Sequence, residues 1–439
     1  MEGWSKTKKI IAGSLGGVLV VSLLIYGIYF HGKASEYRTT LSNQYDRAFY
    51  DLLDNVNNAE MYLLKASVTG TKEMQTLMLE EAGNSAAQAE SCLALLPVDS
   101  NKLSEVSDFL VQLKDISRTW DKILVNGGQL TEEQYNTLEE LYGYAQDLNG
   151  AVHTLWTDFT KEGDWENLKV FEENNHLAEP FQDYPQLIYD GPFSEHMKTT
   201  KSVNLQGDNV TKNQAAEYVE KLFEFYTPTV EFIGENETQG IEVYSFNVTF
   251  SEKYAYAARA DVTKVGGKLC SMMMYRETGE PTLTAEQAII TGESYLNALG
   301  YVDMEPSYYS IQDGYVTANY AYVDNGVICF PDMVKVKISM DNGEITGFES
   351  LSYLLNHRER NIPDGKISIE EGESALSSNI SCVSSREAVI PNDFGGEEHV
   401  YQYTCTYNGR NVLIYKDVET GAETEVLIIL EDENGVLTI

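Results

Sequence analysis

The sequence predicts an α+β protein: an N-terminal transmembrane helix, a helical bundle domain, and three units that each place a helix on an antiparallel sheet. Three observations predict this: an uncharged apolar run at 10–30, helical apolar spacing to about residue 178, and Tyr/Val/Ile-rich runs with glycine turns after about residue 200. The predicted divisions are a cytoplasmic tip with the anchor (1–32), the bundle (33–178), an aromatic linker (179–209), and units at 210–277, 283–356 and 367–439.

The apolar run Ile10 to Phe30 carries no charge and is long enough to cross a hydrocarbon core. Lysines precede it, so the positive-inside rule keeps the N-terminus in the cytoplasm and exports the rest. A cleavable signal peptide is the alternative, but the run is long for one and no clear cleavage site follows. The predicted anchor residues are Ile10, Leu15, Leu19, Leu23, Tyr26 and Phe30.

Between residues 33 and 178 apolar side chains recur every three or four positions, which is the period of amphipathic helices. Breaks at Pro97, at the Asn126-Gly127-Gly128 turn and at Gly163 indicate four or five antiparallel helices packed as a bundle. Such a bundle can sense a ligand, hold a partner or serve as a spacer.

Three similar units follow, opening at VTKNQAAEYVEKLF (210–223), LTAEQAIITGESYLNALG (283–300) and ISIEEGESALSSN (367–379). Each opens with a Thr or Ser whose hydroxyl can cap the first amides of a helix. Each closes on a strand and a tight turn with a glycine, at Gly267, Gly343 and Gly435. The repeat predicts a helix followed by a curled antiparallel sheet.

The linker contains the segment DYPQLIYDGPFSEH at 183–196, which is more aromatic than a plain linker. Its side chains are expected either to pack on the first sheet or to contact a partner. The candidate contact residues are Tyr184, Tyr189, Asp190 and Phe193.

His357, Arg358 and Arg360 form a dense cationic cluster just past the second unit's last predicted strand. They can lie in solvent at the end of a helix, where cations are stabilised by the negative pole of the helix dipole. Alternatively, they make ion pairs with a partner or with another unit, because arginine binds carboxylates through two parallel hydrogen bonds.

Composition limits the possible functions. The chain has 31 basic and 68 acidic residues, a net charge of -37, which argues against binding nucleic acid or anionic lipid through the folded part. The charge is typical of a highly soluble protein, or of one that attracts a cationic partner or divalent ions. The five scattered cysteines argue against a disulfide scaffold or a structural zinc site.

No catalytic signature is evident in the sequence. The six histidines form no metal-binding pair, and the nucleophile-elbow, Walker and dinucleotide motifs are missing. Carboxylates are so numerous that no pair is singled out for glycoside cleavage. We therefore expect a protein that is not an enzyme and needs no cofactor; a cell-wall hydrolase remains the weakest alternative.

The three units resemble PepSY domains in their opening T-x-x-Q-A and closing D-x-x-G-x-I patterns. With the segments YPQLIYDGPFSEH and PDMVKVKISMDNGEITGFESLSYLLNHRER (331–360), the whole chain resembles the YpeB family of spore germination proteins. That resemblance implies a non-enzymatic protein, anchored in the spore inner membrane with its bulk on the cortex side. Its implied role is to bind, localise and stabilise, and by analogy restrain, a cortex-lytic peptidoglycan hydrolase of the SleB type.

A ligand sensor on the outer side of the membrane, signalling through a membrane partner, is the alternative function. Only about nine residues would then lie inside the cell, too few for an output domain of their own.

Overall fold

The computed structural model describes residues 6–96, 104–162, 205–251, 253–254, 256–392, 396–432 and 435–438. The chain divides into two compact units. One, the helical unit, comprises Met1–Ser67 and Gln75–Asp183; the other, the sheet unit, comprises Val68–Met74 and Tyr184–Ile439.

The described part of the helical unit is built from α1 (Lys6–Val68), α2 (Lys72–Leu93), α3 (Ser104–Val125) and α4 (Glu132–Glu162). Their apolar faces are buried, as the spacing predicts. Polar contacts link pairs of helices: Asn149 of α4 donates to Glu60 of α1 at 2.7 Å, and Gln75 of α2 donates to the Tyr135 hydroxyl of α4 at 3.0 Å. The fully buried leucines include Leu63, Leu64, Leu79, Leu110, Leu113 and Leu138.

The structure corrects the prediction of a transmembrane helix. Residues 10–30 do not form an element of their own; they begin α1, a single helix of 63 residues that runs on through polar turns to Val68. Within the described residues, no helix has both the length and the apolar character needed to cross a bilayer. After the apolar run, α1 carries charged side chains from Lys33 to Lys65.

The predicted single-pass location in the spore inner membrane is wrong for the same reason. Among the predicted anchor residues, Tyr26 and Phe30 are exposed, and their ring centroids are 4.6 Å apart. The side chains of Ile10, Leu15, Leu19 and Leu23 lie outside the described residues.

Gly143 in the interior of α4 provides a test of the helical packing. A Cβ added there would meet no atom within 4 Å. Gly143→Ala should therefore raise the free energy of unfolding by about 0.5–1 kcal/mol, the helix preference of alanine over glycine. Urea denaturation followed by circular dichroism measures the change.

Gly83→Ala is the matched control, because Gly83 also lies inside a helix but its added Cβ would sit 3.0 Å from the Ser117 Cβ of α3. We expect no gain at this position. Equal stabilisation at both positions would contradict the close approach of α2 to α3.

The sheet unit contains four further α-helices and thirteen strands in its described part. The helices are α5 (Lys212–Leu222), α6 (Ala285–Leu299), α7 (Leu351–Asn356) and α8 (Ile369–Ser374). The strands are β1 (Thr229–Thr238), β2 (Ile241–Thr249), β3 (Ala257–Thr263), β4 (Leu269–Met274), β5 (Met304–Gln312), β6 (Tyr315–Asp324), β7 (Val327–Ser339), β8 (Ile345–Glu349), β9 (Ser381–Pro391), β10 (Glu397–Tyr407), β11 (Arg410–Asp417), β12 (Glu423–Asp432) and β13 (Gly435–Thr438).

Each repeat begins with its predicted cap. The side chains of Thr211, Thr284 and Ser368 accept hydrogen bonds from backbone amides three residues on, each within a complete capping box. The turn glycines are also confirmed: Gly267, Gly343 and Gly435 have φ of 60°, 79° and 134°. These are backbone angles that side-chain-bearing residues rarely adopt.

The strands of all three repeats join into one sheet, in the order β1-β2-β3-β4-β8-β7-β6-β5-β13-β12-β11-β10-β9. The first and second repeats meet through β4 and β8, and the second and third through β5 and β13. The start of the long strand β7 also pairs in parallel with the end of β9, where Ile328 faces Ala388. Strands β5 to β7 and β9 to β13 therefore form a closed ring of eight strands.

The two largest apolar cores of the described sheet unit lie inside the strand ring and under α5 and α6. The interior of the strand ring is filled by large side chains from seven of its strands, among them Tyr308, Ile328, Phe330, Met333, Leu413 and Tyr415. The helices α5 and α6 cover one face of the sheet from β1 to β8, burying among others Val219, Phe246, Leu296, Val334 and Phe348. On the opposite face, the short helix α7 buries Ile241, Val243 and Cys270, and other positions of the same strands, such as Arg259 and Met273, are left exposed.

Candidate functional site

The predicted cationic cluster lies at the junction of the second and third repeats. Arg360 is buried and binds two carboxylates at once: its Nη1 donates to Asp332 Oδ2 at 2.8 Å, and its Nε donates to Glu397 Oε2 at 2.9 Å. Asp332 belongs to β7 of the second repeat, and Glu397 belongs to β10 of the third. One guanidinium therefore ties the two repeats together.

Two neighbouring side chains complete this cluster. His357 Nδ1 lies 2.8 Å from Asp332 Oδ2, and its ring stacks on Tyr353 with centroids 4.2 Å apart. Arg358 contacts Glu397 at 2.8 Å but keeps 45% of its side chain exposed. The structure thus brings together all three residues singled out from the sequence. Contact with a partner stays a prediction, and only Arg358 is exposed enough to make one without rearrangement.

The electrostatics of the junction favour a structural role. Burial disfavours the charge on Arg360, but hydrogen bonds to Asp332 and Glu397 outweigh that effect and raise its pKa. Asp332 is fully buried, so its carboxylate depends on these donors for solvation. Both carboxylates are engaged with arginine side chains, which ties the two repeats together.

A second arginine junction, which sequence reasoning missed, joins the first and second repeats. Arg276 follows β4 and donates to Ser339 Oγ at 2.8 Å, and its Nε lies 2.9 Å from Glu344 Oε2. It also donates to Asp341, and that hydrogen bond is the main reason why the pKa of Asp341 falls to about 2. The sequence feature that could have indicated this junction is a lone arginine at the end of a repeat in an acidic chain.

The exposed face of the sheet, opposite α5 and α6, carries a row of paired residues across the first junction. Register places Arg259 opposite Met273, Met273 opposite Gly347, and Gly347 opposite Lys337. Arg259 keeps 46% of its side chain exposed and Met273 is 44% exposed. We call Arg259, Met273, Lys335 and Lys337 the cationic sheet face.

Each cation of this face lies near a carboxylate or an aromatic ring. Arg259 lies 4.0 Å from Asp261, Lys335 lies 3.7 Å from Glu349, and the Lys337 ammonium lies over the Tyr315 ring at 4.2 Å. Gly347 has no side chain, and the side chains of Lys337 and Met273 close over its buried backbone. In a chain with a net charge of -37, two cations and an exposed methionine in one row, with Lys335 beside Glu349 in the next, mark a distinct surface.

The other predicted contact residues, Tyr184, Tyr189, Asp190 and Phe193, lie outside the described residues. Within the described ranges, no group of three or more His, Cys, Asp or Glu residues is arranged to hold a metal ion.

Comparison with known proteins gives two family matches. The model described as "YpeB sporulation, PepSY1 and PepSY2 domains" matches residues 171–363, and the model "YpeB N-terminal" matches residues 33–166. "Sporulation protein YpeB" of Halalkalibacterium halodurans is 25% identical over 97% of this chain and 98% of its own. The protein of that name from Oceanobacillus iheyensis is 23% identical over 94% and 95%.

One solved structure is also similar. The Bacillus megaterium YpeB C-terminal domain matches 51% of this chain over its own full length, with 24% identity and a TM-score of 0.48.

Proposed function

This chain belongs to the YpeB family of sporulation proteins, and on that premise we propose that it is a non-enzymatic germination protein that binds and stabilises a SleB-type peptidoglycan hydrolase. The sporulation names of its relatives support a role in the spore. The identity of the partner follows from the family resemblance. Binding would stabilise the hydrolase by mass action, by about 2.7 kcal/mol when this chain is present at a hundred times the dissociation constant.

The observation that carries the proposal is the cationic sheet face. Arg259 and Lys337 lie in one row with the exposed Met273, which places charge beside apolar area as in protein interfaces. The occupant we propose is an acidic segment of the hydrolase, because the rest of this chain would repel one. Attraction of this kind speeds association and selects the partner.

The two arginine junctions support the same proposal. The row crosses from the first repeat to the second, and Arg276 binds Asp341 of the second repeat beside that crossing. A surface that is already rigid loses less conformational entropy on binding than one that must become ordered. The junctions would therefore hold the face in one geometry for its partner.

The test is the amount of hydrolase in sporulating cells. Deleting this chain should lower the amount of hydrolase protein, and Arg259→Glu with Lys337→Glu should lower it nearly as much while this chain itself remains folded. Lys221→Glu with Lys268→Glu is the matched control, because it makes the same change in charge at exposed positions away from the face.

The outcomes distinguish a failure of the proposed function from a failure of the cationic sheet face as the binding site. An unchanged amount of hydrolase in the deletion strain would overturn the proposed function. A fall on deletion but not in the Arg259/Lys337 variant would leave the function standing and overturn the cationic sheet face as its site.

A further inference from the structure

Two cysteines of the third repeat face each other across neighbouring strands. Cys382 of β9 is the register partner of Cys405 of β10, at a bulge where Val383 is left unpaired. Facing residues in antiparallel strands have Cα atoms about 4.5–5.5 Å apart, inside the range of about 4.4–6.8 Å that a disulfide spans. The Cys382 thiol donates to the Ser384 carbonyl of its own strand at 3.5 Å.

We propose that Cys382 and Cys405 are a redox-active dithiol that closes into a cross-strand disulfide. Neither thiol has a part in the proposed binding face, so the inference is independent of the proposed function. The other cysteines, Cys92, Cys270 and Cys329, belong to α2, β4 and β7, so the odd total does not prevent Cys382 and Cys405 from pairing.

The oxidant is a small-molecule disulfide such as oxidised glutathione. The Cys382 thiolate, having lost its proton to solvent, attacks one sulfur of the reagent and releases one thiolate. Cys405, once deprotonated, attacks Cys382 Sγ in the mixed disulfide and releases the second. The protein loses two electrons and two protons, one protein S–S bond forms, and the reagent is reduced to two thiols.

Exposure sets the order of these two steps. Cys382 is half-buried and Cys405 is fully buried, so the reagent reaches Cys382 first. Burial raises the pKa of the Cys405 thiol to about 12. Burial and the nearby Glu373 carboxylate raise the pKa of Cys382 as well, so thiolate is scarce and closure is slow near neutral pH.

The bond would cross-link the strand ring where it closes, since β9 is also the strand that pairs with β7. A cross-link between residues 382 and 405 restricts the unfolded chain, and we expect the midpoint of thermal unfolding to rise by roughly 5–10 °C.

The test uses the full chain, native, with oxidised glutathione at alkaline pH, followed by alkylation and tryptic mapping. Cleavage after Lys366, Arg386 and Arg410 separates Cys382 and Cys405 into peptides 367–386 and 387–410. We expect these two peptides to be recovered linked and lighter by two hydrogens. Recovery of both peptides alkylated, or linked only after denaturant is added, would overturn the proposal.

Three variants test the order of the steps. Cys405→Ser should stop at the mixed disulfide on Cys382, whereas Cys382→Ser should leave Cys405 unmodified in the folded protein. Glu373→Gln removes the charge beside Cys382 and should speed closure several-fold. A Glu373→Gln variant that closes no faster, or a Cys405 that reacts in Cys382→Ser, would contradict the assigned roles.

Discussion

Replacing Arg360 with methionine is expected to lower the free energy of unfolding of the sheet unit by about 3–5 kcal/mol. The side chain of Arg360 is 5% exposed and that of its partner Asp332 is 0% exposed. Methionine fills a similar volume but leaves the buried Asp332 carboxylate without its arginine, with the His357 ring still 2.8 Å away. Urea denaturation followed by tyrosine fluorescence measures the loss.

Arg358→Met is the matched control at the same junction. It removes a cation from the same carboxylate, Glu397, but Arg358 is 45% exposed, and exposed ion pairs contribute about 0–1 kcal/mol. The double replacement Arg360→Met with Asp332→Asn should recover part of the stability, because no buried charge is then left unpaired. Equal losses for Arg360→Met and Arg358→Met would contradict the central position of Arg360.

Replacing Gly292 with alanine is expected to cost about 3 kcal/mol, because the new methyl group would overlap a buried tyrosine. An added Cβ would lie 2.2 Å from the Tyr320 hydroxyl oxygen and 3.1 Å from its Cζ. Tyr320 is fully buried and donates to the Ile289 carbonyl at 2.6 Å, so it cannot move without losing that bond. Thermal or urea unfolding of the full chain measures the effect.

Tyr320→Phe tests the cause of that loss. Alone it should cost about 1 kcal/mol, the value of a hydrogen bond, but combined with Gly292→Ala it should restore stability, because the overlapping oxygen is gone. A double variant as unstable as the sum of the two single variants would show that the hydroxyl is not what excludes the methyl group.

The same contact recurs in the third repeat. Gly372 lies under Tyr403, where an added Cβ would be 2.1 Å from the hydroxyl oxygen, and Tyr403 donates to the Ile369 carbonyl at 2.8 Å. In both repeats the carbonyl belongs to the residue three positions before the glycine. The two helices share the letters GES at this point, which the structure explains as a site of close approach between helix and sheet.

Local features of the fold were predictable from the sequence, because they depend on neighbouring residues. Thr211, Thr284 and Ser368 cap helices in the predicted way, and glycines occupy the predicted hairpin turns. The transmembrane prediction was local too, but it is wrong, because no helix of the described residues is long and apolar enough to cross a bilayer.

Long-range pairing was beyond the reach of sequence pattern. The strand ring depends on Ile328 of β7 meeting Ala388 of β9, and nothing in either strand's alternation specifies that partner. The cluster around Arg360 was visible as a group of cations, but its carboxylates come from residues 28 and 37 positions away. The residues of the cationic sheet face become neighbours only through the register of several strands, and that register is known only from the assembled sheet.

The most direct test of the central claim is binding between the purified full-length chain and the SleB-type hydrolase that we propose as its partner. Titration calorimetry with both proteins should give a dissociation constant of about 1 μM or lower, weakened at least tenfold by Arg259→Glu with Lys337→Glu. In the same mixture, a protease should degrade the bound hydrolase more slowly than the free enzyme. No heat of binding and identical degradation with and without this chain would contradict the account.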